Sequence, residues 1–181
     1  MNRIDYTVRD LYNCGYVSQK EIQCFIKHLS FVDNKIVIHS LEMAEWFTKA
    51  YYHETVDYFM HPLNVYANHQ MARLLKEALD ENVIDLEDFK QDDEFVLSQI
   101  KKSGILHLIK SLDQINSEVI LIEDETNYTI YRKLKLRMVD PLVWINDEFK
   151  QVSELSTTST ELIKAALQKL QKGIYLRVES K

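Results

Sequence analysis

The sequence predicts a mainly α protein with a C-terminal α+β lobe, and three observations support this fold class. Only three glycines and two prolines interrupt the 181 residues, so long stretches run without helix breakers. Before Asn116, apolar residues recur at steps of three and four, the helical period. After Asn116 they alternate in short β-branched runs, as in strands. We therefore predict a helical bundle, 1–116, followed by a small sheet with one packed helix, 117–181.

The first forty residues contain clear helix and turn signals. Residues 3–14 are predicted to form a helix ended by Gly15, which can adopt the left-handed conformation, with these side chains inward: Ile4, Val8, Leu11 and Tyr12. Ser18 and Glu21 form a capping-box pattern that starts a second helix. Between two apolar runs, Asp33 and Asn34 predict a small hairpin over 31–39.

The stretch Val56–Leu79 is predicted to be the first part of a long buried helix that continues a helical pattern from Ser40. The helix is expected to bend near Pro62, where one backbone hydrogen bond is lost. Its predicted inward residues follow the helical period: Phe59, Leu63, Tyr66, Ala67, Met71, Leu74, Leu75 and Ala78. Because polar groups lie beside this stripe, the helix packs against other helices or lines a polar pocket.

The remaining elements are short. Asp85 and Asp92 are predicted N-caps of two short helices, and Gly104 precedes a third over 105–115 with Leu106, Ile109 and Leu112 inward. The predicted strands cover 119–122, 128–139, 142–145 and 174–178. A helix over 161–172, capped by Ser159 or Thr160 and ended by Gly173, is expected to pack on one face of this sheet.

Composition excludes several classes of protein. A net charge of −6 and a pI near 5.5 argue against nucleic acid as the partner. No apolar run approaches the roughly 20 residues that cross a bilayer, and the charged N-terminus is unlike a signal peptide. Cys14 and Cys24 lack metal-site spacing and are typical of a reducing compartment. We expect a cytoplasmic protein without a membrane partner.

The spacing of charged residues and histidines gives only weak evidence for a metal or phosphate site. His53, His61 and His69 are eight residues apart and lack an adjacent His-Asp or HExxH pattern. The acidic stretch 80–94 lacks the glycine of a calcium loop and is expected to be a solvated face. One basic cluster either meets phosphates or protects a sheet edge: Arg132, Lys133, Lys135 and Arg137.

Three segments carry a resemblance to a known family. Asp5-Tyr6-Thr7-Val8-Arg9-Asp10, followed by Gly15, resembles the DYxxRDxxxxG segment of the dGTPase-like branch of HD-domain phosphohydrolases, the deoxynucleoside triphosphate triphosphohydrolases. Met60, Val65 and Tyr66 resemble the family's M-x-x-Q-V-Y run. The tail from Tyr131 to Arg177 is similar to the C-terminal lobe of bacterial members. The similarity covers nearly the whole chain, and 1–116 would be the C-terminal half of an HD domain.

The resemblance implies a metal site to which this chain contributes no ligands. In the family a histidine, an adjacent His-Asp pair and a later aspartate hold the metal, and water attacks the α-phosphate so that triphosphate leaves. The first three ligands are expected upstream of this chain, and Asn2 stands at the position of the last aspartate. A neutral amide is a weaker ligand for a hard cation. We expect no metal ligands, no catalytic residues and no cofactor here, and a divalent metal only if a missing N-terminal segment supplies ligands.

The resemblance also implies a substrate wall made of Arg3, Tyr6, Asp10 and Tyr66. Arg3 is at a basic position, Tyr6 would lie near the phosphates and sugar, and Asp10 and Tyr66 would face the sugar hydroxyl. Three other positions depart from the family: Tyr58 replaces an arginine, Asn64 a glutamine and Asn68 a histidine.

The expected function is that of the C-terminal part of an HD-type nucleotide phosphohydrolase-like protein, inactive as this chain alone. The alternative is a non-enzymatic regulatory or oligomerisation module derived from the same fold, which the departures at Asn2, Tyr58, Asn64 and Asn68 favour. A third reading is a helical protein-binding domain. Expected partners are a nucleotide, an HD-containing partner chain and further copies of this chain in a homo-oligomer.

Overall fold

A computed structural model of the chain describes residues 2–116, 118–133, 135 and 137–179, with Asn2 described by its backbone alone. The structure is mainly α-helical with a small amount of sheet, which confirms the predicted fold class. None of the helices in the described part of the chain combines the length and apolar character needed to cross a membrane.

The helices occur throughout the chain, and short strands lie between them. The α-helices are α1 (Asn2–Asn13), α2 (Gln19–Lys27), α3 (Leu41–Tyr52), α4 (Pro62–Asp80), α5 (Asp93–Lys102), α6 (Leu106–Asp113), α7 (Val152–Leu155) and α8 (Thr157–Lys172). A π-helical segment, His53–Tyr58, follows α3, and a 3-10 turn covers Asp88–Lys90. The strands are β1 (Leu29–Val32), β2 (Lys35–Ile38), β3 (Ile120–Glu123), β4 (Ile130–Arg132), β5 (Leu142–Ile145), β6 (Glu148–Gln151) and β7 (Ile174–Glu179).

The chain divides into two compact units. The first consists of Met1–Met60 and Lys133–Gly173, and the second of His61–Arg132 and Ile174–Lys181. These units differ from the predicted lobes 1–116 and 117–181, because each combines two separate stretches of chain. The predicted division into lobes at Asn116 stays a prediction.

The first unit contains a four-stranded sheet in the order β1-β2-β5-β6. The β1–β2 hairpin turns at Asp33 and Asn34, as predicted, and both residues have positive φ, 46° and 60°. Strand β2 pairs in parallel with β5 through Ile38 and Val143. The predicted strand 142–145 therefore belongs to this sheet, and its hairpin partner β6 is an element that the sequence analysis missed.

Helices α1, α2, α3, α7 and α8 complete the first unit. The expected Ser18–Glu21 capping box starts α2, and Gly15 follows α1 with a φ of 72°. Phe25 of α2 is fully buried, with its ring centroid 5.1 Å from that of Phe47 on α3. Helix α8 packs against α3 and α7. Helix α1 contacts α3, and the π-helical segment contacts α8. The candidate site lies on α1 and the π-helical segment.

The second unit packs α4 on a three-stranded sheet in the order β3-β7-β4. The helix on this sheet is therefore α4 and not the predicted helix over 161–172. An apolar cluster forms its core: Leu74, Ala78, Ile84, Val96, Ile100 and Leu108. Asp92 caps α5 and Gly104 precedes α6 with a positive φ, as predicted.

The predicted long helix over Val56–Leu79 is wrong at its N-terminal end. Residues 56–58 belong to the π-helical segment, Phe59 is 43% exposed, and α4 begins only at Pro62. His61 takes an extended ψ of 133°, because the proline ring disfavours a helical conformation in the preceding residue. Pro62 thus separates two helices instead of bending one.

Two smaller predictions also need correction. Tyr12 and Leu106, predicted to point inward, are 48% and 72% exposed, whereas Thr7 and Leu108 are buried in their place. Strand β4 ends at Arg132 instead of continuing to Val139. Positions 133, 135 and 137–139 lie outside any strand, and Leu134 and Leu136 are outside the described residues.

Candidate functional site

Helix α1 carries three of the four predicted substrate-wall residues on one side. Arg3, Tyr6 and Asp10 are separated by three and four residues, a spacing that places them along one helix face. The side chain of Asn2, predicted to stand at a metal-ligand position, lies outside the described residues. We call Arg3, Tyr6 and Asp10 the α1 wall.

Arg3 lines a cavity of about 470 Å³, a size within the range of small-molecule pockets. The other walls of the cavity are mostly apolar and include Ile38, Phe47 and Leu142. The Arg3 guanidinium donates to the Tyr51 hydroxyl at 2.9 Å. This contact leaves further guanidinium N–H groups for an anionic ligand, since the fork carries five donors.

Tyr6 and Asp10 are held by contacts from neighbouring side chains. The Tyr6 side chain is 51% exposed, and the Arg9 guanidinium lies 4.8 Å from the centroid of its ring. Arg9 also forms exposed ion pairs with Asp5 at 3.4 Å and with Asp10 at 4.0 Å. Such an exposed pair contributes little to stability, so a ligand could displace Arg9 from the Tyr6 ring at small cost.

A buried carboxyl group lies next to the α1 wall. Glu54, on the π-helical segment, is 5% exposed and accepts a hydrogen bond from the Thr7 hydroxyl at 2.6 Å. Burial raises the pKa of Glu54 above its usual range, and the negative charge of Asp10 raises it further. The Glu54 carboxyl therefore favours its protonated form more than an exposed glutamate does.

The π-helical segment also places Tyr58 against the end of α1. The hydrogen bond with Cys14 is the main reason why the pKa of Tyr58 is raised. Tyr58 stands where the resemblance expects a phosphate-contacting arginine, and its phenol is 43% exposed. This position therefore supplies a neutral hydroxyl instead of a cation. Because π-helical turns are frequent at functional sites, the segment is part of the candidate site.

Tyr66, the fourth predicted substrate-wall residue, belongs to the second unit. It is 5% exposed, and its hydroxyl donates to the Gln114 carbonyl oxygen at 3.2 Å. Asn68, two residues further along α4, is exposed. The Tyr66 side chain is thus packed in the interior of the second unit, and its hydroxyl group already has a hydrogen-bond partner there.

The three evenly spaced histidines have separate local roles. His53 contacts Asp57, with Nδ1 and Oδ2 3.0 Å apart. The His61 side chain accepts from the Leu63 N–H at the start of α4, and His69 is exposed on that helix. Within residues 2–116, 118–133, 135 and 137–179, no group of three or more His, Cys, Asp or Glu side chains is placed to hold a metal ion.

Glu54 is the site residue that the sequence analysis missed. It follows Phe47 and Tyr51 at steps of four and three, on the same buried face of a helical pattern. An acidic residue on such a face costs free energy unless it is paired or protonated. This spacing was the available signal, but its hydrogen-bond partner Thr7 is 47 residues away in the sequence.

Comparison with known proteins gives a relative that is longer than this chain. The chain is 36% identical over 177 residues to the uncharacterized protein YdhJ of Bacillus subtilis (strain 168), and the match covers 98% of the chain and 54% of YdhJ. The chain thus spans about half the length of this curated relative. No protein-family model matches the chain. No solved structure matches it.

Proposed function

We propose that this chain is the C-terminal part of an HD-type nucleotide phosphohydrolase-like protein, contributing a nucleotide wall and no metal ligands. The observation that carries the proposal is the α1 wall, in which Arg3, Tyr6 and Asp10 follow one helix face and Arg3 lines the 470 Å³ cavity. Arginine is suited to phosphate, and apolar walls are suited to a flat base.

The chain alone is proposed to bind a nucleotide without hydrolysing it. In the resembling family a metal activates the attacking water, and Asn2 supplies an amide where the last metal-binding aspartate is expected. The length of YdhJ beyond the matched part supports a second segment that completes the site. That segment, as an HD-containing partner, would supply the divalent metal and its ligands.

The remaining parts of the proposal concern location and assembly. Cys14 and Cys24 are both exposed free thiols, which is consistent with a reducing, cytoplasmic location. We also propose that the chain assembles as a homo-oligomer. Because the net charge is −6, we propose no nucleic-acid partner.

A non-enzymatic regulatory or oligomerisation module is the second candidate function. Two points favour it. Tyr58 stands where the resemblance implies a phosphate-contacting arginine, and the Tyr66 hydroxyl already donates to Gln114. In such a module nucleotide binding, if retained, would change assembly instead of leading to hydrolysis.

Equilibrium binding of each dNTP to the purified chain tests the nucleotide wall. We expect Tyr6→Ala and Asp10→Asn each to raise the dissociation constant about tenfold, since each removes a stacking or hydrogen-bonding group. Tyr12→Ala is the matched control, because Tyr12 is an exposed tyrosine on the same helix but outside the wall. Equal affinity of the wild type and both wall variants would contradict the proposal.

A further inference from the structure

A second cavity of the first unit lies beside the π-helical segment and has a volume of about 280 Å³. We call it the His53 cavity. Its polar side is formed by Tyr16, Lys49, His53, Asp57 and Lys169. Its apolar side includes Val56 and Leu162. None of these residues belongs to the α1 wall, so the cavity is a separate feature of the unit.

The imidazole of His53 is held firmly in this cavity. Its ring stacks on that of Tyr16, with centroids 3.7 Å apart and an interplanar angle of 11°. Its Nδ1 lies 3.0 Å from Oδ2 of Asp57, and a carboxylate can only accept, so Nδ1 carries a proton. The other nitrogen, Nε2, has no hydrogen-bond partner among the described residues. One nitrogen of a fixed ring therefore remains for a ligand.

The cavity has more positive than negative groups. Lys49 on α3 and Lys169 in the last turn of α8 form no ion pair with any described residue. Asp57 is the carboxylate that lines the cavity with them, and it is already engaged by His53. Both lysines are exposed side chains that line the cavity, and two positive charges beside one space attract an anion.

The apolar side limits what else the ligand contains. Tyr52 contributes its ring alone, because its hydroxyl is engaged by the backbone of Val139, donating to the oxygen at 3.1 Å and accepting from the N–H at 3.2 Å. The aliphatic part of the wall consists of one residue of the π-helical segment and three of α8: Val56, Leu162, Ala165 and Ala166. A ligand that fills the cavity would place a short carbon chain against this side.

We propose that the His53 cavity binds a small organic phosphate with a single phosphate group. Lys49 and Lys169 contact the phosphate as point charges. The cationic form of the His53 ring, in which both nitrogens carry a proton, donates from Nδ1 to Asp57 and from Nε2 to the phosphate, and the apolar side receives the carbon chain. A volume of about 280 Å³ lies at the lower end of ligand pockets and matches a ligand smaller than a nucleoside triphosphate. This site is independent of the proposed nucleotide wall.

An NMR titration of the full chain with glycerol 3-phosphate, at constant ionic strength, tests the proposal. The ring signals of His53 are expected to shift with saturation, while those of His107, exposed in the second unit, stay unchanged. Lys49→Gln and Lys169→Gln are each expected to raise the dissociation constant about tenfold. Lys164→Gln, which removes an exposed charge of α8 outside the cavity, should leave it unchanged.

Two further probes identify which part of the ligand is recognised. Inorganic phosphate is expected to bind more weakly than glycerol 3-phosphate, and glycerol not at all. The proposal is overturned if the wild-type chain shows no saturable shift, if Lys164→Gln weakens binding as much as the cavity variants, or if glycerol binds as well as its phosphate. Equal affinity for inorganic phosphate would overturn the role of the apolar side.

Discussion

Glu54 is a carboxyl group that the fold keeps away from water, and its raised pKa has a consequence for stability. When the folded state raises the pKa of an acid, stability is greatest below the unfolded pKa and is lost as pH rises through the folded pKa. Glu54→Gln removes this loss, since the amide is neutral and can still accept from Thr7. We expect the variant to be more stable than wild type at pH 7 by about 1 kcal/mol, and to approach it near pH 4.

Urea denaturation across this pH range measures the difference. Glu161→Gln is the matched control, because Glu161 is an exposed carboxyl on α8 and should leave the pH dependence unchanged. A Glu54→Gln variant whose stability falls with rising pH as steeply as that of wild type would show that Glu54 is not the group responsible.

Sequence reasoning succeeded at residues whose role is local. The Ser18–Glu21 capping box and the left-handed Gly15 depend on neighbours within a few positions, and both are confirmed. The buried carboxyl of Glu54, by contrast, accepts its hydrogen bond from Thr7, which lies on another helix. A single sequence does not reveal such a pairing by periodicity alone, although the acidic residue on a buried face marks the position.

At the scale of elements, the two hairpins of the four-stranded sheet have equivalent turns. Asn146 and Asp147 connect β5 and β6 with φ values of 51° and 60°, similar to those of Asp33 and Asn34. Glycine adopts left-handed backbone without a Cβ contact and is favoured at the second position of such a turn. Because glycine also gives the unfolded chain more entropy, Asp147→Gly should stabilise the chain by only about 0.5 kcal/mol. Thermal denaturation measures this gain.

The neighbouring position provides the control for the turn. Glu148 is the first residue of β6 and pairs with Ile145, so Glu148→Gly should lower the melting temperature, as glycine weakens a strand. A lower melting temperature for Asp147→Gly would contradict the assigned turn.

Strand β6, which the sequence analysis missed, has a weak pattern of its own, because EFKQ carries one aromatic residue among polar ones. The Asn146-Asp147 pair before it was an available turn signal, equivalent to Asp33-Asn34. By contrast α2, α5 and the first hairpin carry caps or turn residues and were predicted. The sequence analysis predicted a bend near Pro62 where the structure has two separate helices. A proline within an apolar helical pattern is compatible with either arrangement.

At the scale of the whole molecule, the core of the second unit provides a direct test of the packing. Leu74 is 1% exposed within its apolar cluster, whereas Leu86 is 75% exposed. Leu74→Ala should lower the free energy of unfolding by about 2–5 kcal/mol through the cavity it leaves. Leu86→Ala should change it by less than about 0.5 kcal/mol. Similar losses in both variants, measured by urea denaturation, would contradict this packing.

Chain order alone did not predict the composition of the two units. Strand β7 pairs with β3 from Ile120↔Glu179 to Glu123↔Leu176, and so joins the end of the chain to the unit that begins at His61. In the same way β5 joins the hairpin formed by β1 and β2. Both connections are long-range pairings between strands of similar composition. The periodicity of the sequence predicts where strands occur but not which strands pair with each other.

The most direct test of the proposed function is an assay of triphosphate release from dNTPs with Mg²⁺ or Mn²⁺. The purified chain is assayed alone and after mixing with a polypeptide made of the part of B. subtilis YdhJ that the chain does not match. We predict no release by the chain alone and release by the mixture, reduced at least tenfold by Asp10→Asn and unchanged by Tyr12→Ala. Triphosphate release by the chain alone would contradict the account.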